Sequence, residues 1–158
     1  MNEPAPQFGR DTLITPLIIM INNGVPVSTF IDVGAADGTF GLTVLDAVNL
    51  LGERMGRAIS FLSITLQPRK DTPKILTEYA DNFDVKPGWS FLTGKPADVE
   101  QLRRALGYVD SDPERDKDLS NHVGMARYGN DRLNRWGGVS LRSSAENIAS
   151  TFKWLSQV

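Results

Sequence analysis

The chain has 158 residues, no cysteine, 41% hydrophobic residues and a formal net charge of -2 at pH 7. This length and composition predict one soluble globular domain, and the balanced charge argues against a broad nucleic-acid interface. The missing cysteines exclude disulfides, thiol redox chemistry and thiolate metal sites. The longest apolar run, residues 17–21, is too short to cross a membrane, so no span is expected in this chain.

The N-terminal part begins with residues 1–9, which contain two prolines and little apolar content and are interpreted as a flexible arm. Residues 10–158 are expected to form the single domain. The β-branched, apolar residues 13–21 predict a first strand, and residues 25–33 predict a second. These strands would form a hairpin, or the first would cover an edge of the sheet.

A glycine-rich loop at residues 34–41 follows the second strand, and an amphipathic helix ending near Gly52 or Gly56 comes next. The apolar run at residues 59–66 predicts a strand that is buried on both faces. Thr72 and Pro73 are typical of an N-cap and a first helical position, and Asp71 is interpreted as a residue of the turn before them.

The second half is expected to contain a short strand at residues 89–92 and a helix that begins at Pro96 and ends at Gly107. The charged residues 108–119 are interpreted as a mobile surface loop. A hairpin should follow, with residues 122–128 as its first strand and residues 129–131 as its turn. The pattern Ser-x-x-Glu at residues 143–146 predicts a capping box for the last helix.

This order, β-β-α-β-α-β-α-β-β-α, predicts an α/β protein with a thioredoxin-like fold. Its central mixed sheet would be flanked by helices, with an extra N-terminal strand and a C-terminal hairpin plus helix. The three tryptophans, Trp89, Trp136 and Trp154, are interpreted as core and edge packing rather than as a platform for nucleic-acid bases.

Three blocks of sequence resemble the Sco/SenC family of thioredoxin-fold copper proteins, which are associated with cytochrome oxidase assembly. They read LLGERMGRAISFLSITLQPRKDTP, PGWSFLTGKPADVEQLRRALGY and NHVGMARYGNDRLNRW. The resemblance implies a metal site with a Cys-x-x-x-Cys loop and one histidine. The histidine is present as His122, whereas the two cysteine positions fall at Val33 and Asp37. Gln67 stands where the family usually has aspartate.

Without thiolates, His122 retains only Asp37 or Asp32 as candidate co-ligands. Imidazole and carboxylate would hold Zn(II), Ni(II) or Cu(II) weakly and would not suit Cu(I). For His122 the ordinary alternative is a hydrogen bond to neighbouring backbone, and for Asp37 it is a favourable position near a helix N-terminus. We therefore expect no catalytic residue and no resident cofactor, with copper bound weakly if at all.

Residues 32–41 also resemble the first motif of S-adenosylmethionine-dependent methyltransferases, in which a strand leads through a glycine-rich turn into a helix. The acidic residue that should end the next strand in such enzymes is Gln67 here.

The leading hypothesis is a non-catalytic binding or assembly protein of the Sco/SenC type, and the alternatives are a residual metal carrier and the methyltransferase-like cofactor site. The resemblance further implies a protein partner in respiratory-chain assembly, no nucleic acid, and a periplasmic or membrane-associated location.

Overall fold

The computed structural model describes residues 28–33, 41–118, 121, 124–130, 133 and 135–156, with only the backbone of residues 28–33 and 41. The predicted arm at residues 1–9 and the predicted strand at residues 13–21 lie outside these ranges. The described elements, in chain order, are β1 (Ser28–Val33), α1 (Gly41–Leu51), β2 (Ile59–Ile64), α2 (Pro73–Asn82), β3 (Trp89–Leu92), α3 (Pro96–Ala105), α4 (Pro113–Lys117), β4 (Met125–Asn130), β5 (Arg135–Ser140) and α5 (Ala145–Leu155).

The described strands form one mixed sheet in the order β3-β2-β1-β4-β5. β1 runs parallel to β2 and antiparallel to β4, β2 is parallel to β3, and β4 and β5 form an antiparallel hairpin. The predicted α/β architecture with a terminal hairpin and helix is therefore confirmed over this part of the chain.

The apolar core is divided by the sheet into two layers. Side chains of α1 and α5 pack on one face with Ile59 and Phe61, and α3 packs on the other with Leu62 and Ile64. Successive strand residues point to opposite faces, so a central strand covered on both sides must be apolar throughout or have its polar groups bonded. All six residues of β2 are buried, as the sequence predicted.

The polar side chain at the centre of β2 illustrates how this burial is satisfied. The Ser63 hydroxyl accepts a hydrogen bond of 3.0 Å from the indole Nε1 of Trp89 on β3. Trp89 in turn meets the Phe61 ring edge-on at 5.3 Å. Trp89 is 8% exposed, so its interpretation as a core residue is confirmed.

The predicted start of α2 is confirmed in detail. The Thr72 hydroxyl accepts a hydrogen bond from the Ile75 backbone N–H, and Pro73 occupies the first helical position.

The turn that follows α2 depends on Gly88, whose φ is +95°. A Cβ at Gly88 would lie 2.7 Å from the Gly56 Cα, so this position excludes every other residue.

Three boundaries near the C-terminus differ from the sequence prediction. Residues 129–130 belong to β4 rather than to a turn, and the buried Asn130 amide donates a 3.0 Å hydrogen bond to the Leu155 carbonyl. β5 starts at Arg135 rather than directly after the predicted turn at residues 129–131. The cap of α5 is Ser144, whose hydroxyl accepts from the Asn147 N–H, so the predicted capping box is off by one residue.

The interpretation of residues 108–119 as a surface loop is only partly correct: eight of the eleven described residues are exposed, but the segment is not irregular throughout. Tyr108 is buried, and residues 113–117 form α4 with Asp112 as N-cap. Arg103, whose side chain is 3% exposed, donates to both carboxylate oxygens of Asp116 at 2.8 and 2.9 Å. The Asp116 carboxylate also accepts from the Asp110 N–H at 2.9 Å, which closes the segment onto α3.

Ionic contacts around Arg103 shift the pKa values of the participating groups. The hydrogen bond to Asp116, followed by the one to Glu100, raises the pKa of the Arg103 guanidinium. The hydrogen bond from Arg103 to Glu100 lowers the pKa of the half-exposed Glu100 carboxyl, whereas the partial burial of Glu100 acts in the opposite direction. Arg103 therefore stays charged at any working pH, and its burial requires the acceptors that surround it.

We expect Asp116→Ala to lower the free energy of unfolding by about 3 kcal/mol, because it leaves the buried Arg103 charge short of its main partner. Urea unfolding of both proteins measures this difference. The matched control is Glu114→Ala on the same helix, whose carboxylate contacts only Lys117 at the exposed surface and should matter by less than about 0.5 kcal/mol. Equal effects of the two substitutions would contradict a stabilising role for the buried cluster.

Candidate functional site

The carboxyl ends of three parallel strands meet at one edge of the sheet. Val33 of β1 pairs with Ile64 of β2, which pairs with Leu92 of β3. Since β4 runs the opposite way, its beginning lies at this same edge, with Ala126 opposite Asp32. Binding sites of open α/β sheets gather where parallel strands end, so this edge is the candidate functional site.

Both segments that carry the predicted metal ligands connect to this edge. Residues 34–40 follow β1, and residues 122–123 precede Gly124, which leads into β4. Asp37 and His122 themselves lie outside the described residues, and only the backbones of Asp32 and Val33 are described. The structure therefore brings the attachment points together, and a ligand set of His122 with Asp37 or Asp32 stays a prediction.

A tight turn after β2 forms the described wall of the site. The Thr65 hydroxyl donates a hydrogen bond to the Asp71 carboxylate and accepts one from the Gln67 N–H at 2.8 Å. The Gln67 carbonyl accepts from the backbone N–H groups of Lys70 and Asp71. Asp71 is thus a turn-forming residue, as the sequence indicated, and its carboxylate is already engaged by protein.

The side chain of Gln67 is exposed at the surface of this turn. It stands at the position where the Sco/SenC resemblance expects aspartate and where a methyltransferase would place its ribose-binding acid. An amide carries no charge and is a much weaker metal ligand than a carboxylate. The turn therefore keeps its backbone arrangement while offering one charged oxygen ligand fewer.

A small cavity of about 70 Å³ lies behind the turn, between β2, β3 and α2. Its lining combines the hydroxyls of Ser63 and Thr65 with the apolar side chains of Leu76 and Phe91. Pockets that hold cofactors or drug-sized ligands measure roughly 300–1,000 Å³. The cavity is therefore a packing gap with room for water rather than a cofactor site.

The donor groups do not fit a thiolate copper centre. The chain contains no cysteine, so neither Val33 nor Asp37 nor any other position can supply the thiolate ligands of such a centre. Among the described residues, no group of three histidine, aspartate or glutamate side chains is arranged to hold a metal ion. The predicted ligand set at this edge therefore consists of one imidazole with carboxylates and contains no thiolate.

The two remaining tryptophans are less buried than the sequence suggested. Trp136 on β5 is 53% exposed and Trp154 on α5 is 48% exposed. The alternation of β5 residues between the two faces could have indicated that Trp136 points away from α5, but the hairpin turn was predicted at the wrong residues.

Within the described ranges, no helix is long and apolar enough to cross a membrane.

Comparisons with known proteins agree with this geometry. A family model described as SCO1/SenC matches residues 42–131, which is more than half of the chain. None of the curated proteins gives a significant match. The family match begins after the candidate cysteine positions and includes the turn after β2, the segment that contains His122 and all of β4.

Several solved structures share the fold. The chain superposes on copper-bound ScoI of Bradyrhizobium japonicum with a TM-score of 0.60 at 20% identity, covering 85% of this chain and 88% of that one. It matches copper-bound yeast Sco1 with a TM-score of 0.59 at 16% identity, covering 83% and 79%.

A SCO1/SenC family lipoprotein from Bacillus anthracis matches with a TM-score of 0.60 at 15% identity, covering 86% of this chain and 85% of that one. These likenesses identify the fold as the thioredoxin-like fold of Sco proteins. The family model covers the first two blocks of sequence that resemble the family and residues 121–131 of the third. The chain belongs to the SCO1/SenC family.

Proposed function

We propose that this chain is a non-catalytic binding or assembly protein of the SCO1/SenC family that works without thiol or thiolate–copper chemistry. The observation that carries the proposal is the absence of cysteine from a chain that keeps the family's frame. Thiol–disulfide exchange needs an attacking thiolate, and Cu(I) retention needs soft ligands. Recognition of a partner protein requires neither.

The partner we propose is a protein of the respiratory-chain assembly pathway, met at a periplasmic or membrane-associated location as the family relationship suggests. The buried Arg103–Asp116 cluster supports this proposal, because it holds residues 108–118 in a defined shape next to the candidate site. A rigid surface beside an altered metal site is what a recognition function needs, since preorganised surfaces lose less entropy on binding.

A residual metal carrier is the second candidate, and the pairing of Asp32 with Ala126 favours it. This pairing brings the ends of the segments that carry Asp37 and His122 to one edge of the sheet. A site of one imidazole and one or two carboxylates would bind Cu(II) or Zn(II) weakly and reversibly.

Titration of the metal-free protein with Cu(II), beside His122→Ala, separates these two functions. We expect weak binding that the substitution leaves unchanged, because a single imidazole without thiolate partners contributes little by itself. Asp98→Ala, at an exposed carboxylate on α3, controls for general surface binding. Micromolar or tighter Cu(II) affinity that disappears in His122→Ala would reject the recognition-only function in favour of the metal carrier.

Restoring the missing ligands tests the placement of the loop. We expect Val33→Cys combined with Asp37→Cys to raise Cu(I) affinity by orders of magnitude, because two thiolates would join His122 at the same edge. Competition with a colourimetric Cu(I) chelator measures the gain, and each single cysteine variant serves as a control. A double variant that binds no better than the single ones would show that residues 33 and 37 are not the family's cysteine positions.

The methyltransferase-like alternative predicts a ligand-dependent stability. A real S-adenosylmethionine site at residues 32–41 must stabilise the protein by mass action when the ligand exceeds its dissociation constant. We expect no increase in melting temperature at millimolar S-adenosylmethionine, because Gln67 cannot replace the acidic residue that binds ribose hydroxyls. A saturable increase would reinstate the cofactor site.

A further inference from the structure

The strand β5 forms one edge of the described sheet and lacks the features that usually protect an edge. It pairs residue by residue with β4 from Asn130↔Arg135 to Met125↔Ser140, without a bulge. It contains neither lysine nor proline, and no described residue pairs with its outer side. Natural edge strands are commonly shielded by bulges, prolines, lysines or shortness.

The opposite edge strand, β3, provides the contrast. It has four residues, compared with six in β5. Pro87 precedes it by two residues and Pro96 begins the helix after it, and Lys86 and Lys95 lie on the same flanks. The chain therefore protects β3 with charges, prolines and shortness, whereas β5 remains suited to pairing with another strand.

One face of the β4–β5 hairpin is flat and partly apolar. The Trp136 ring lies over Gly129, where a Cβ would collide with it, and the Met125 methyl group lies 3.4 Å from the position of a Cβ on Gly138. Met125 is 39% exposed and Trp136 is 53% exposed. We call Met125, Arg127, Trp136 and Gly138 the hairpin face.

Arg127 gives the hairpin face a positive charge. Its Nε donates to the Leu106 carbonyl at 3.1 Å, and its guanidinium carbon lies 5.6 Å from the centre of the Tyr108 ring. The Nη1 atom lies 3.1 Å from where a Cβ on Gly138 would be, so the charged group extends over β5. None of the described carboxylates forms an ion pair with Arg127, so no described side chain neutralises its charge.

The other arginine of β5 is committed to the opposite face. The Arg135 guanidinium stacks on the Trp154 ring at 4.8 Å and donates to the Trp154 carbonyl. This contact holds β5 onto α5 and removes the Arg135 charge from the hairpin face. A carboxylate approaching the β5 edge on the hairpin face would therefore meet Arg127.

We propose that β5 accepts an extended, acidic segment of a protein partner as an added strand. The backbone of the segment would pair with β5, an apolar side chain would contact Trp136, and a carboxylate would pair with Arg127. Strand addition combines sequence-independent backbone bonds with selection by alternate side chains. The inference rests on the proposed recognition function and specifies the chemical character of its partner.

The test uses the intact chain and two synthetic peptides. In the first, valine alternates with glutamate, and in the second, lysine replaces each glutamate. We expect the acidic peptide to bind in calorimetric titration and the basic peptide not to bind. Trp136→Ala and Arg127→Gln should each weaken binding about tenfold or more, which corresponds to about 1.4 kcal/mol.

Two substitutions serve as matched controls that should leave the affinity unchanged. Ile75→Ala removes a similarly exposed apolar side chain from α2, which lies beside β3 at the other end of the sheet, and Arg57→Gln removes an exposed arginine distant in sequence from the hairpin. A readout on the unsubstituted protein avoids any folding defect of Trp136→Ala. The indole N–H resonance of Trp136 should shift on addition of the acidic peptide, whereas that of Trp154 should not.

Several results would overturn the proposal. These are binding of neither peptide, equal binding of both, or equal shifts of the two indole resonances. Concentration-dependent dimerisation that Trp136→Ala abolishes would assign the edge to a second copy of the chain. Protection of the outward β5 amides from hydrogen exchange in a monomer without peptide would assign the β5 edge to residues 1–27 of the same chain. None of these results depends on Cu(II) binding, so failure here is distinguishable from failure of the recognition function.

Discussion

Pairing of β1 on both sides holds the sheet together and also determines where a site can lie. β1 is parallel to β2 and antiparallel to β4, so the end of β1, the end of β2 and the beginning of β4 share one edge. The predicted ligands depend on that arrangement. Asp37 follows β1, and His122 lies two residues before Gly124, which leads into β4. The turn residue Asp71 follows β2 at the same edge.

What has changed at this edge is the donor chemistry rather than the frame. The turn after β2 keeps its hydrogen bonds among Thr65, Gln67 and Asp71, and the core beneath it is closed by Ser63 and Trp89. With no thiolate in the chain, this edge lacks the ligands that hold Cu(I) most strongly. The frame that is described is well packed, and the β5 edge is the surface that we propose for recognition.

Much of the fold could be predicted because the local signals agree with the tertiary environment. β2 is apolar at four of its six positions and is covered on both faces, and Thr72 with Pro73 marks a helix start regardless of context. The errors in the predicted boundaries arose where contacts between residues distant in sequence determine the ends of an element. The buried Asn130 amide bonds the end of α5 and extends β4 through an apparent turn, which no local pattern reveals.

The prediction for residues 108–118 missed a short helix and a buried ion pair for a related reason. Its high charge is typical of a solvated loop, yet Arg103 and Asp116 are brought together across 13 residues and become buried as a pair. The site itself was only partly predictable. Sequence spacing identified the sheet edge and the turn at Asp71, whereas the exposed Trp136 and the orientation of Arg127 depend on the register of β4 with β5.

The central claim, a Sco frame without thiolate–copper chemistry, is tested most directly by Cu(I) retention. The purified protein would be mixed with one equivalent of Cu(I) under reducing, oxygen-free conditions and challenged with a high-affinity chromogenic Cu(I) chelator. Transfer of all the copper to the chelator is the result this account expects, because the chain has no thiolate to oppose it. Stoichiometric retention of Cu(I) by the protein would contradict the account.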